Sequence, residues 1–230
     1  MPTYRPQDWS NILQAMGKLH YDPGEEFLDT AVACMEPMLN RFNFQSLACV
    51  VNAFALLGFV PPERFRRRMV RWVREGVLRG GREGGGGVKV EEVCILLHSF
   101  GQLPALAVEG EGWGEEGLEE EEEEEEDRSP TSSSGSKRKP KHIALALAEA
   151  IEDDLFSLSP TNLSLVLRAL ARIGVRPLPS GFLKSAELCL EPSVHSLTGL
   201  EAALTLHALA RLSMRGGGGG DREEEEEEEE

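Results

Sequence analysis

Apolar residues recur along this chain at helical spacing. Trp9, Ile12, Leu13, Met16 and Leu19 form one stripe at a 3.6-residue period, and Phe65, Met69, Trp72 and Val73 form another. Between the stripes stand helix stop and start signals. Gly58 and Gly174 fall where a left-handed C-terminal residue is wanted, each with a proline three residues on. Ser159 before Pro160 suits an N-cap and first helical position, and Thr198-x-x-Glu201 suits a capping box. The pattern predicts short helices in antiparallel pairs.

The pairs repeat. Aligning "RPQDWSNILQAMGKLHYDP" (Arg5 to Pro23) with "FNFQSLACVVNAFALLGFVP" (Phe42 to Pro61) at an offset of 38 matches Gln7 with Gln45, Trp9 with Leu47 and Ala15 with Ala53. The same offset matches Leu19 with Leu57, Tyr21 with Phe59, Pro23 with Pro61 and Phe27 with Phe65. The first-helix pattern returns in "EEVCILLHSFGQL", "TNLSLVLRALARIGVRP" and "LEAALTLHALARL". Second halves repeat as well: "FLDTAVACMEP" and "FLKSAELCLEP" stand 155 residues apart, while "RFRRRMVRWV" and "HIALALAEAIEDDLF" take that place in the second and third units. One helical pair cannot bury its own apolar face, and stacked pairs can. The expected fold is therefore all-α: an α-solenoid of about five helix-turn-helix repeats of about 38 residues. Residues 1–79 would hold repeats one and two, 80–87 a Gly-rich insertion, and 88–108 the first helix of repeat three. A disordered acidic, Ser-rich and basic linker would span 109–141, the remaining helices 142–215, and a disordered Gly/Glu tail 216–230.

Three columns follow from this register. Ala15, Ala53, Ser99, Ala169 and Ala208 are all small, which lets two helix backbones approach, so this column reads as packing. The residue just before it reads Gln14, Asn52, His98, Arg168 and His207, each with a planar group that donates hydrogen bonds. One turn on, Lys18, Leu56, Gln102, Arg172 and Arg211 include three cations. Variable planar groups beside a cationic row suit a surface that reads RNA bases and meets phosphates, one base per unit. A solvent-facing helix side carries the same composition for a simpler reason, with Lys and Arg favoured near helix C-termini by the dipole.

The stretches "SPTNLSLVLRALARIGVRP" and "RPQDWSNILQAMGKLHYDP" resemble octotricopeptide repeats, units of about 38 residues with a Pro-Gln-Asp/Glu-Leu-like helix start, a Leu/Ala-rich first helix and a Pro-rich turn. The resemblance implies an RNA-binding helical-repeat protein acting in an organelle, the chloroplast or alternatively the mitochondrion, in transcript stability, processing or translation. It also implies that the first-helix face is the RNA surface, with Gln14, Asn52, His98, Arg168 and His207 toward bases and Lys18, Arg172 and Arg211 toward phosphates. Single-stranded RNA, and protein partners in an RNA-maturation complex, are the implied partners; no membrane and no small-molecule substrate is expected. The alternative is a protein–protein scaffold of the same architecture, with a groove for a peptide or helix.

Composition changes this picture at few points. The net charge of −16 is concentrated: Glu115 to Asp127 holds 11 acids, and Asp221 to Glu230 holds 9 acids and one arginine. Without these runs 20 acids face 23 Lys/Arg, so the helical part is mildly basic. Arg64, Arg66, Arg67, Arg68, Arg71 and Arg74 crowd one helix, which reads as a solvated face or as a phosphate track. Cys34, Cys49, Cys94 and Cys189 are scattered and read as reduced thiols in helix packing. "MPTYRPQD" has neither signal-peptide nor transit-peptide character, and by entering a helix almost at once it reads like the middle of a sequence rather than a beginning. The five histidines make no metal-ligand spacing, and no nucleophile, paired-carboxylate or nucleotide motif occurs. The expectation is a binding protein, not an enzyme, without cofactor or metal.

Overall fold

A computed structural model describes residues 4–80, 88–107, 142–175 and 177–213. Most of the Gly-rich insertion, the linker and the tail, and with them their expected disorder, lie outside these residues. Among the described residues all regular structure is helical. The α-helices are α1 (Pro6–Leu19), α2 (Glu25–Met35), α3 (Phe44–Leu57), α4 (Glu63–Gly80), α5 (Val90–Gln102), α6 (Ile143–Ile151), α7 (Pro160–Ile173), α8 (Phe182–Leu190) and α9 (Gly199–Ser213). Two second helices, α2 and α8, run on into 3-10 segments, Glu36–Arg41 and Glu191–Ser196, whose second residue is a proline.

Local chemistry sets the boundaries. Asn43 Oδ1 accepts from the Ser46 amide at 2.7 Å, and Ser159 Oγ from the Asn162 amide at 3.2 Å, each satisfying a donor that the helix start leaves orphaned. Thr198 and Glu201 close a reciprocal box: the Thr198 amide donates to the Glu201 carboxylate at 2.9 Å, and the Glu201 amide to Thr198 Oγ1 at 3.2 Å. At the other ends Gly58 (φ 68°) and Gly174 (φ 76°) take the left-handed conformation expected of them. His20 takes it too, at φ 50°, in the corresponding place after α1.

The odd-numbered helices pack one after another: α1 on α3, α3 on α5, α5 on α7 and α7 on α9. Their backbones come close. A Cβ added to Gly17 would stand 3.2 Å from Ala53 Cα, and one added to Gly101 would stand 2.6 Å from Ala169 Cα. Ala53, Ser99, Ala169 and Ala208 are buried accordingly. Ala15 is exposed, because no described helix precedes α1 in the row. A second small column, two residues on, went unnoticed in the sequence: Gly17, Ala55, Gly101, Ala171 and Ala210. Gly17 and Gly101 show its role, meeting the small column of the next odd helix.

The even-numbered helices supply the larger side chains. Phe65, Met69 and Val73 of α4 are fully buried, with the Phe65 ring 6.3 Å from Phe54 and the Trp72 ring 5.8 Å from Phe44. Helix α6 packs on α4 and α5. Two expectations need correction. Leu19, counted in the first apolar stripe, is 78% exposed, since its face of α1 has no described neighbour. Cys34 points to solvent and takes no part in packing, whereas Cys94 is buried.

Candidate functional site

The two polar columns lie on the row of odd helices, so their neighbours are decided by how closely those helices pack. Gln14 of α1 is half-buried and donates from Nε2 to Cys49 Sγ of α3 at 3.3 Å. Asn52 of α3 accepts at Oδ1 from Ser99 Oγ of α5 at 3.3 Å. His98 of α5 is half-buried and feels the charges of Arg168 and Arg172 on α7. Arg168, also half-buried, acts in turn on Glu201 of α9. Of the base-facing candidates His207 alone is exposed. Four of the five column residues are therefore partly enclosed and face the following odd helix.

The cationic candidates sit further out. Lys18, Arg172 and Arg211 are exposed, and Lys18 is near enough to Cys49 to favour its thiolate. Leu56 and Gln102 interrupt the cations on α3 and α5, both half-buried, and Gln102 Oε1 is buried without a donor. The charge thus gathers at α7, where two arginines flank His98. Burial, reinforced by Arg168 and Arg172, holds the His98 imidazole below its ordinary value of 6.5, so it is uncharged at neutral pH. Burial pushes the Cys49 thiol up against the opposing pull of Lys18. The Cys94 thiol, buried beside Glu91, is pushed up to about 12. Hydrogen bonds from Thr198 hold the exposed Glu201 carboxyl below the usual range.

The arginine-rich helix has a different role. Arg64 Nε meets Glu36 Oε1 at 2.8 Å and Arg68 approaches the same oxygen at 3.5 Å, tying α4 to the 3-10 segment of the first unit. Arg67 pairs with Glu63 within α4. Arg66 donates to the Pro61 carbonyl at 3.1 Å and to the Ala105 carbonyl at 2.7 Å. Three of the six arginines thus tie α4 to other elements, and a fourth pairs within the helix.

Further polar contacts between the odd helices were not anticipated. Ser46 Oγ of α3 donates to Gln7 Oε1 of α1 at 2.9 Å, and the Ser164 and Thr205 hydroxyls meet at 2.6 Å inside the α7–α9 contact. The signal that would have found them is a Ser or Thr within an apolar stripe, where a hydroxyl needs a partner. Chemically, the face offers planar donors, one neutral imidazole and a central pair of guanidinium groups. That set suits an anionic, planar ligand. No group of His, Cys, Asp and Glu that could hold a metal occurs among the described residues. No family model matches the chain, and no match is found among curated proteins or solved structures.

Proposed function

We propose that this protein is an α-solenoid of helical pairs that binds single-stranded RNA along the face of α1, α3, α5, α7 and α9, in the manner of octotricopeptide-repeat proteins, and supports transcript stability, processing or translation in an organelle. The observation that carries the reading is the continuity of this face: Gln14 and Asn52 join α1 to α3 and α3 to α5 by hydrogen bonds, and His98 of α5 lies in the field of Arg168 and Arg172 of α7. Consecutive packing of the odd helices supports the solenoid, and the α1–α3 and α5–α7 contacts share one register. Planar groups stack on bases or bond their edges, and cations meet phosphates. Each base stacked contributes on the order of 1–3 kcal/mol, and one base per unit limits five units to about five nucleotides. Target choice then requires further contacts from partners or from a longer protein.

The test is fluorescence anisotropy of the full chain with randomised single-stranded RNA at three salt concentrations. Engagement of three or four phosphates gives a log–log salt slope of about −2 to −3, at about −0.7 per contact. The Arg168→Ala/Arg172→Ala variant loses affinity for all sequences and shallows the slope. A folded chain with no RNA affinity even at low salt overturns the proposal and favours the scaffold alternative.

A further inference from the structure

At the C-terminal end of the described helices, α8, its 3-10 segment and α9 enclose a groove of about 320 Å³. Leu190, Val194, Leu197, Leu206 and Leu209 line it, and Glu187 and Glu191 stand at its rim. Two of its apolar side chains are left open to solvent: Leu206 is 67% exposed and Val194 54%. Every lining residue has a counterpart 155 positions earlier, where Met35, Leu39, Phe42, Val51 and Phe54 take the apolar places and Glu36 that of Glu191. That earlier surface is covered. Met35, Leu39, Phe42, Val51 and Phe54 are all buried, α4 packs on the 3-10 segment there, and its Phe65 ring sits against Phe54. Glu36 accepts Arg64 and Arg68 at the edge of the seat.

The filled seat thus describes the occupant of the open one. We infer that the groove of α8 and α9 receives a basic amphipathic helix that residues 1–230 do not supply. Its apolar residues stand at i, i+4 and i+8, as Phe65, Met69 and Val73 do, and cations at i−1 and i+3 meet Glu191 as Arg64 and Arg68 meet Glu36. Nothing in this sequence is free to fill the place: the stripe of α4 is already buried in its own seat, and residues 81–87, 108–141 and 214–230 contain no such stripe. The surface is distinct from the RNA face and stands or falls without it.

The probe is a fluorescein-labelled peptide of residues 61–80, titrated with the full chain in about 0.5 M KCl, where ionic attraction to the glutamate runs is screened. Saturable binding at micromolar concentration is expected. Leu206→Asp, at an exposed position remote from α4, weakens it at least tenfold while the circular dichroism is unchanged. At 0.1 M KCl, a peptide carrying Arg64→Glu and Arg68→Glu binds the Glu191→Arg chain more tightly than the unaltered chain. No saturable binding by the folded chain overturns the inference, as does binding indifferent to Leu206→Asp. Light scattering covers the remaining occupant: a mass that doubles with concentration and falls back in Leu206→Asp assigns the groove to a second copy and overturns the basic helix.

Discussion

Gly101→Ala tests the close approach of α5 and α7 with a single methyl group. The added Cβ would stand 2.6 Å from Ala169 Cα and 2.7 Å from Ala169 Cβ, both inside the distance that real Cβ atoms keep. One of these contacts is backbone, so no rotamer change relieves it, and the two helices must separate. Overpacking of this kind costs about 1–3 kcal/mol. Against it stands the helix preference for alanine, worth at most about 1 kcal/mol and less in the last turn, where Gly101 sits. The net expectation is a loss of about 1–2 kcal/mol, a fall in Tm of roughly 2–8 °C for a chain of this size. Ala169→Gly in the same chain removes only the Cβ contact, so the double variant recovers part of the loss. The assay is urea unfolding followed by circular dichroism, with m-values compared to confirm that the same surface unfolds. Stabilisation of Gly101→Ala by about 1 kcal/mol, as at an open helical site, would refute the close approach.

His20→Gly should stabilise the chain by about 0.5–1 kcal/mol in the same assay, since His20 holds φ 50° where Gly58 and Gly174 serve the other units; Gly58→Ala should lose about 1 kcal/mol. The depressed His98 value means that the folded state resists a proton the unfolded state accepts, so stability falls as pH drops below about 6.5 and levels off below the folded value. His98→Gln removes that component, and unfolding curves at pH 7.5 and 5 should differ less for the variant than for the parent chain. Iodoacetamide at pH 8 should modify exposed Cys34 and spare Cys94, buried and pushed up to about 12; peptide mass mapping showing equal labelling would contradict that burial.

The helical character and the start and stop points were legible because they depend on neighbours a few residues away. Ser159, Thr198, Gly58 and Gly174 act within one turn, and each does what its local pattern predicts. Burial of Phe65, Met69 and Val73 followed from period alone. Leu19 shows where period stops: an apolar stripe says which side faces a neighbour, and the neighbour itself must still be present. The second small column was missed for a related reason. Gly17 and Gly101 look like ordinary helix filler until a second helix at close range makes the absence of bulk matter. The roles of Arg64, Arg66 and Arg68 were open in the sequence because their partners, Glu36 and the Ala105 carbonyl, lie on other elements.

Close helix spacing also bears on how the polar face divides its labour. Because small residues let α1, α3 and α5 approach, the column just before them comes within hydrogen-bond reach of the next helix, and Gln14 and Asn52 have already taken partners there. A ligand meeting those two positions gains only the difference between its own hydrogen bond and the one displaced, which is small for neutral pairs. The α5–α7 segment is different in kind. Burial, reinforced by two guanidinium groups, holds the half-buried His98 imidazole uncharged, so an anion there meets two cations and makes charge-assisted bonds. Affinity should accordingly be concentrated at His98, Arg168 and Arg172, with Gln14 and Asn52 contributing spacing. An even one-residue, one-base contribution along the row is not what this arrangement of charge supports.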